Sequence, residues 1–189
     1  MPAAEATPAS RPLRTATAAD LAARFERALV DGDGVAGAHC IHERWMRGDL
    51  GVNVEAALER LWRSAADSIP DWLPMRYIGW LPLAYEVAAR FRRGKGGRSH
   101  IYLVLLDYSD SRVEPFGIYV GMSQYLPAER FDQHKAGIRA AGSVLRRGVE
   151  VLTGPTLHLR YLARAEAAAI EENLAEALRA AGLFVQGGH

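Results

Sequence analysis

Apolar residues recur along the chain at two different periods, and the change between them falls near its middle. In the first half Leu21, Phe25, Ala28 and Leu29 stand at helical spacing and predict an amphipathic helix over Asp20 to Val30, closed by a Gly32 and Gly34 turn. After a loop, Ala57, Leu58, Leu61, Trp62 and Ala65 make a second stripe over Val54 to Ser68, which puts Trp62 in the core. Pro70, Pro74 and Pro82 punctuate an aromatic stretch around Trp72, Tyr77 and Trp80, where Trp72 and Trp80 are candidates for stacking on a base, and a short helix from Leu83 to Phe91 follows. Arg90, Arg92, Arg93, Gly94, Lys95, Gly96, Gly97 and Arg98 then read as a flexible, positively charged linker.

Past the linker the pattern becomes extended. Ile101 to Leu106 is a continuous apolar run and Phe116 to Val120 a second one, separated by a polar turn from Tyr108 to Pro115, which together predict a hairpin. Pro127 to Ala141 reads as a helix with its proline in the first turn and Gly142 at its stop. Thr156 to Leu162 alternates Leu157, Leu159 and Tyr161 against His158 and Arg160, which predicts a third strand with one wet face. A last helix runs from about Arg164 to Ala181, ending at Gly182. Three segments result: a tail over residues 1–17, rich in Ala, Pro, Ser and Thr and expected to be disordered; a helical region over 18–97; and an α+β domain over 98–189.

Composition narrows the function classes. The chain has 189 residues, 49% of them hydrophobic and 24% charged, the profile of a soluble globular protein, and no apolar run approaches the ~18 residues of a membrane span. No membrane partner is expected. Lys+Arg number 23 against 22 Asp+Glu, a formal net charge of +1, which argues against coating nucleic acid by bulk electrostatics. Residues 98–189 are neutral as well, but their basic residues cluster: Arg98 continues the linker, and Arg130, Lys135, Arg139, Arg146 and Arg147 follow the second strand. A polyanion would therefore be held locally, with modest and salt-sensitive affinity. The single cysteine, Cys40, excludes an intramolecular disulfide and every multi-cysteine zinc pattern, and with no secretory h-region near Met1 the expected location is cytoplasmic. His39, Cys40 and His42 lack a fourth partner at zinc spacing.

The candidate chemistry lies in the second half. Tyr119-Val120-Gly121-Met122-Ser123 ends a strand, Arg130 follows on the next helix, and His134 shares its face one turn on. Arginine offers phosphate a planar, permanently charged fork. On the last helix the apolar stripe of Ala163, Ala167, Ile170, Leu174, Leu178 and Ala181 has Glu166 and Glu171 at its edges, and periodicity alone leaves both open; Glu172 and Glu176 project away and read as solvated. One such carboxylate suffices for one Mg²⁺ whose other ligands are waters and phosphate oxygens.

Taken in order, His100-Ile101-Tyr102, Tyr119-Val120-Gly121, the Arg130-x-x-x-His134-x-x-Gly137 helix and the Glu166-to-Leu174 helix resemble the GIY-YIG nuclease superfamily over residues 98 to 186. Gly117-Ile118-Tyr119 and Tyr77-Ile78-Gly79 spell the name literally. The first shares a tyrosine with the second motif, and the other has no strand pair around it, so both are set aside. The resemblance implies a three-stranded antiparallel sheet flanked by helices and a metal-dependent endonuclease acting on DNA, RNA being an alternative. It implies catalytic roles for Tyr102, Tyr119, Arg130, His134 and Glu171, with Glu171 as the ligand of Mg²⁺ or Mn²⁺, Tyr119 as base or water-orienter, and Tyr102 as positioning partner. Gly121, Ser123, Lys135 and Arg98 are the expected substrate contacts, and the N-terminal helical region is a place for substrate or a protein partner. Ser99 or His100 stands where the family's first glycine does, the turn between the tyrosines is long, Met122 stands where some repair members carry lysine, and Gln186 falls near a late asparagine. These departures motivate a second reading, a nucleic-acid- or partner-binding module on the same fold without turnover. A third reading, a helical interaction protein, would follow if Tyr102 and Tyr119 were not neighbours near Glu171.

Overall fold

A computed structural model describes residues 6–94 and 96–188, so Lys95 of the linker and the first five residues of the expected tail lie outside the described residues. The chain divides into two compact units at Pro82. In the first, α1 (Ala18–Asp31) is started by a capping box in which Thr17 and Asp20 exchange hydrogen bonds and is stopped at Gly32, whose φ is 67°. It buries Leu21, Phe25 and Ala28. The expected loop after it is instead a helix, α2 (Gly34–Met46), capped by Asp33. Almost every side is covered: Ala38, Ile41 and Trp45 are buried together with His39, His42 and Glu43, so the polar residues that would mark a wet face lie inside and no stripe is visible in the sequence. α3 (Gly51–Ala65) buries Val54, Ala57, Leu58, Leu61 and Ala65.

Three expectations for this unit are corrected. Trp62 sits at the stripe's margin and is 37% exposed, whereas Trp72 is buried against the His39 ring at 4.9 Å and has no face free for a base. The described part of the tail is ordered, because Glu43, only 1% exposed, must be neutralised where it lies. Arg11 grips its carboxylate through Nε and Nη2 at 3.0 and 2.7 Å; Arg47 grips it from below and donates to the carbonyl oxygens of Leu13, Arg14 and Ala16. Tyr77 and Ile78 serve packing: the Tyr77 ring stacks on Trp45, whose Nε1 donates to Ile78 O at 3.0 Å.

Helix α4 (Leu81–Ala88) begins at the division, and the second unit is an α+β fold around β1 (Gly96–Asp107), a strand buried without interruption from Ser99 to Leu106. That explains its continuous apolar run, since a strand covered on both faces shows no alternation. It pairs antiparallel with β2 (Phe116–Ser123), with Tyr102 opposite Gly121 and Val104 opposite Tyr119. α5 (Pro127–Lys135) and α6 (Gly142–Arg147) follow, then β3 (Gly148–Val151), α7 (Arg164–Ala180) and β4 (Val185–Gly187). The sheet order is β3-β1-β2-β4, with β3 antiparallel and β4 parallel to its neighbour. Tyr102, Val104 and Leu106 project to one face, where Val144, Tyr108, Tyr119, Phe131 and Ala141 pack on them. The alternate positions Ile101, Leu103 and Leu105 face the other way, and α7 packs against β1, β2 and β4 with Ala167, Ile170, Leu174 and Leu178 buried.

The sheet is therefore four-stranded and mixed rather than three-stranded and antiparallel. The expected strand over Thr156 to Leu162 is not one. Pro155 sits in a 3-10 turn, and Tyr161 takes a left-handed φ of 59°, which turns its ring outward instead of in with Leu159. The segment still follows the start of β1, through Gly97 N to Tyr161 O and Ile101 N to Leu159 O. Four residues supply β3 and three supply β4, too few to show a period. The expected helix from Pro127 to Ala141 stops at Lys135, because Gly137 and Arg139 both have positive φ, 78° and 45°.

Strand β4 depends on one glycine. Gly187 has φ 82°, and a Cβ there would come within 2.1 Å of Val120 O. Gly187→Ala therefore meets both a backbone it cannot adopt and a neighbouring backbone it cannot move, and should lose about 1–3 kcal/mol in chemical denaturation. An unchanged midpoint would mean that β4 is not docked as described.

Candidate active site

The site forms where β1 and β2 run toward α5. Tyr102 is 1% exposed, and its ring lies across the strand pair beside Tyr119, with ring centres 6.0 Å apart. Gly121 makes room for both: a Cβ there would sit 2.7 Å from Cζ and Oη of Tyr102 and from Cε1 of Tyr119. The glycine of Tyr-x-Gly is thus a packing requirement for a tyrosine pair on adjacent strands.

Hydrogen bonds run to Tyr102 in one direction. The Ala141 amide N–H donates to His134 Nδ1 at 2.9 Å, so the neutral ring carries its proton on Nε2. His134 Nε2 lies 2.9 Å from Tyr102 Oη and donates to it. Tyr102 Oη thus accepts from His134 and keeps its own proton to donate, with Tyr119 and Arg130 close enough to perturb it electrostatically. Burial, aided by Arg130, holds the His134 pKa down to about 4, so its ring is neutral at physiological pH. Burial pushes both phenols above the ordinary tyrosine value, Tyr102 further raised by Tyr119. Tyr119 is lowered in part by the Tyr102 hydrogen bond and by Arg130, and raised by the charge of Glu171. Both phenols therefore keep their protons at neutral pH, which favours Tyr119 as an orienter of water over Tyr119 as a free base.

Arg130 is half-exposed and held from behind. Its Nη1 donates to Gln133 Oε1 and Ile138 O at 3.0 and 3.2 Å, and its Nη2 to Arg139 O at 2.7 Å. The left-handed turn at Gly137 and Arg139 aims those carbonyls at it. An arginine has five N–H groups, so Nε–H and one Nη2–H remain unspent.

Glu171 enters from α7. Pairing of β2 with β4 ends at Val120, and beyond it the Met122 amide lies close enough to the Glu171 carboxylate to favour its charged form. Half-buried, this carboxyl titrates above its usual range: desolvation outweighs the favourable Met122 amide. No ion pair between Arg130 and Glu171 is found among the described residues, so the two charges are not spent on one another. Glu166, the other edge glutamate, is committed elsewhere, accepting the Gly94 N–H. Glu172 and Glu176 are exposed.

The expected substrate contacts separate. Gly121 belongs to the tyrosine pair. Ser123 Oγ accepts the Tyr125 N–H at 3.0 Å and keeps its own proton to donate. Lys135 gives two hydrogen bonds to Leu145 O and Gly148 O, leaving one N–H. Arg98 is exposed two residues before His100, at the edge of a separate cleft. Elsewhere in the half, Arg90 pairs with Glu86 and Arg147 with Asp110. Sequence reasoning missed the Ala141 and Met122 amides, since a backbone donor leaves no signature in side-chain identity.

For a metal ion, the described residues hold no cluster of three His, Cys, Asp or Glu groups, and His39, Cys40 and His42 do not form one. Glu171 fits the lesser demand of a single hard-cation anchor, being an oxygen donor whose negative charge is under-compensated where it stands. Compared with protein-family models, curated proteins and solved structures, the chain matches none.

Two measurements probe these electrostatics. The His134 ring should stay in the neutral Nε2–H form by ¹⁵N NMR from pH 8 to about 5.5, since its folded pKa of about 4 lies below the ordinary 6.5; a midpoint near 6.5 would contradict the buried chain. The stability that this neutrality confers is present above 6.5 and is lost as pH falls toward 4. Glu171→Gln keeps an acceptor for Met122 without the penalised charge. It should raise the Tm at neutral pH, by an amount that shrinks as acid protonates the wild-type carboxyl. A lowered Tm would show that the carboxylate is stabilised where it lies.

Proposed function

We propose that the second unit is a metal-dependent phosphodiesterase, an endonuclease of GIY-YIG type acting on DNA, with RNA as the alternative substrate. The observation that carries this reading is the convergence of Tyr102, Tyr119, Arg130, His134 and Glu171 at one end of the β1–β2 pair, where a hydrogen-bond chain runs from Ala141 through His134 to Tyr102, the Tyr119 ring packs on both, and Arg130 and Glu171 act on the tyrosines electrostatically. Hydrolysing a phosphodiester requires an oriented water, neutralisation of charge on the phosphoryl oxygens and help for the leaving oxygen. Arg130 brings fixed positive charge and unspent N–H donors. Tyr119 orients the water through its hydroxyl, Tyr102 holds Tyr119, and neutral His134 holds Tyr102. Glu171 would hold one Mg²⁺ or Mn²⁺, which when bound neutralises phosphoryl charge and makes a water more acidic.

One observation favours the binding module without turnover: Arg130 already gives three hydrogen bonds to protein acceptors. Supercoiled plasmid separates the two readings. The enzyme reading expects nicking with Mg²⁺ that EDTA abolishes, and a loss of about a hundredfold or more in Glu171→Gln and in Arg130→Ala. Gly121→Ala, which changes no charge but displaces both tyrosine rings, should lose a comparable amount. Plasmid left intact with Mg²⁺ and Mn²⁺ favours the binding module.

A further inference from the structure

Arg98, His100 and Tyr102 alternate along β1 and so lie on one face of it, His100 about 7 Å from Tyr102 along the strand. Around His100 opens a cleft of about 430 Å³, lined also by Gln124, Tyr125, Glu129 and Tyr161. Its two tyrosines are 55% and 53% exposed, an unusual amount of aromatic surface to leave in water. The backbone of each is fixed. Tyr125 follows directly on β2, its amide fixed by Ser123 Oγ. Tyr161 is held at φ 59°, a conformation costly for a bulky residue, by the bond from Gly97 N to its carbonyl at 2.8 Å and by Leu162, which bridges to Gly96 and Ser99. Backbone strain is thus spent on turning an aromatic ring outward, where its edge meets His100 at 4.8 Å.

His100 supplies a second observation. It is 3% exposed and its Nδ1 has no hydrogen-bond partner among the described residues, an uncommon state for a buried imidazole nitrogen. The charge around the cleft favours an anion. Arg98 is exposed with no acid paired to it among the described residues, and Arg160 adds to burial in disfavouring protonation of His100, against the charge of Glu129. Glu129, the one acid in the lining, is occupied by the Leu126 amide N–H, which it accepts to cap α5.

Resting on the phosphodiesterase reading of the neighbouring site, we infer that this cleft is a subsite for an unpaired nucleotide next to the scissile phosphate: its base stacks on Tyr125 and Tyr161, Gln124 reaches its edge, and Arg98 takes its phosphate. Aromatic faces stack on any base, and they need a base that is out of the duplex. The substrate class is therefore single-stranded nucleic acid, or a duplex with an unpaired stretch at the cut such as negative supercoiling opens in a plasmid, and not relaxed continuous duplex.

The test is fluorescence anisotropy with the full chain carrying Glu171→Gln, in EDTA so that nothing turns over. The probes are labelled short oligothymidylate, oligouridylate of equal length, and a blunt duplex. Tyr125→Ala and Tyr161→Gly should each raise the Kd for the single strands about tenfold and change duplex binding by less than about twofold, while Tyr125→Trp retains affinity. Tyr161→Gly suits the left-handed backbone, so its Tm should equal or exceed that of the parent and a binding loss cannot be ascribed to unfolding. Tighter binding of oligothymidylate marks a DNA strand and of oligouridylate an RNA strand, either result supporting the subsite. Single-strand affinities unchanged by both tyrosine substitutions, or equal losses on the duplex, would overturn it. Plasmid nicking is read separately, so a chain that does not cut but loses single-strand affinity in these variants keeps the subsite and gives up the nuclease.

Discussion

A phenol buried on a strand that is covered on both faces has to find its hydrogen-bond partners inside the protein, and much of the second unit follows from that requirement at Tyr102. Its hydroxyl is met by His134, whose remaining nitrogen must be met in turn by a backbone donor. For the Ala141 amide to reach it, α5 has to end early and the chain has to turn back, which the positive φ angles at Gly137 and Arg139 achieve. That same turn exposes the carbonyls of Ile138 and Arg139 to Arg130 and so fixes the guanidinium beside the tyrosines. On the other side of the ring the demand falls on Gly121, where nothing larger than hydrogen fits. One buried hydroxyl thus links a strand, a helix end, a turn and the cation of the site.

The same arrangement leaves the site electrostatically uncomfortable in isolation. Burial keeps His134 neutral and both phenols protonated, and it penalises the charge on Glu171. Groups that merely stabilise a fold are usually paired to satisfaction, as Glu43 is by Arg11 and Arg47 in the first unit. Arg130 is held by the carbonyls of Ile138 and Arg139, and no ion pair joins it to Glu171 among the described residues.

Much of this was legible in the residues themselves. The hairpin was visible because a strand buried on both faces writes a continuous apolar run, and α1, α3 and α7 because amphipathic helices write a stripe. The spacing of Arg130 and His134 put them on one helix face, whereas Gly121, expected to touch substrate, makes room for the tyrosine pair instead. Helix α2 was hidden because its buried side includes His39, His42 and Glu43, whose burial depends on arginines distant in sequence. Thr156 to Leu162 alternated like a strand, yet Tyr161 turns outward through a backbone angle that residue type does not disclose.

What the sequence determined by itself was the set of side chains able to do chemistry and the elements carrying them, because periodicity and residue type are local. The tertiary structure alone decided which nitrogen of His134 bears the proton, that Glu171 rather than Glu166 reaches the tyrosines, that the sheet has a parallel fourth strand, and that a strained Tyr161 shares a cleft with Tyr125. Each of these rests on backbone amides or angles brought together across long stretches of chain. Every residue except proline carries the same N–H and C=O, so their use is invisible until the fold places them.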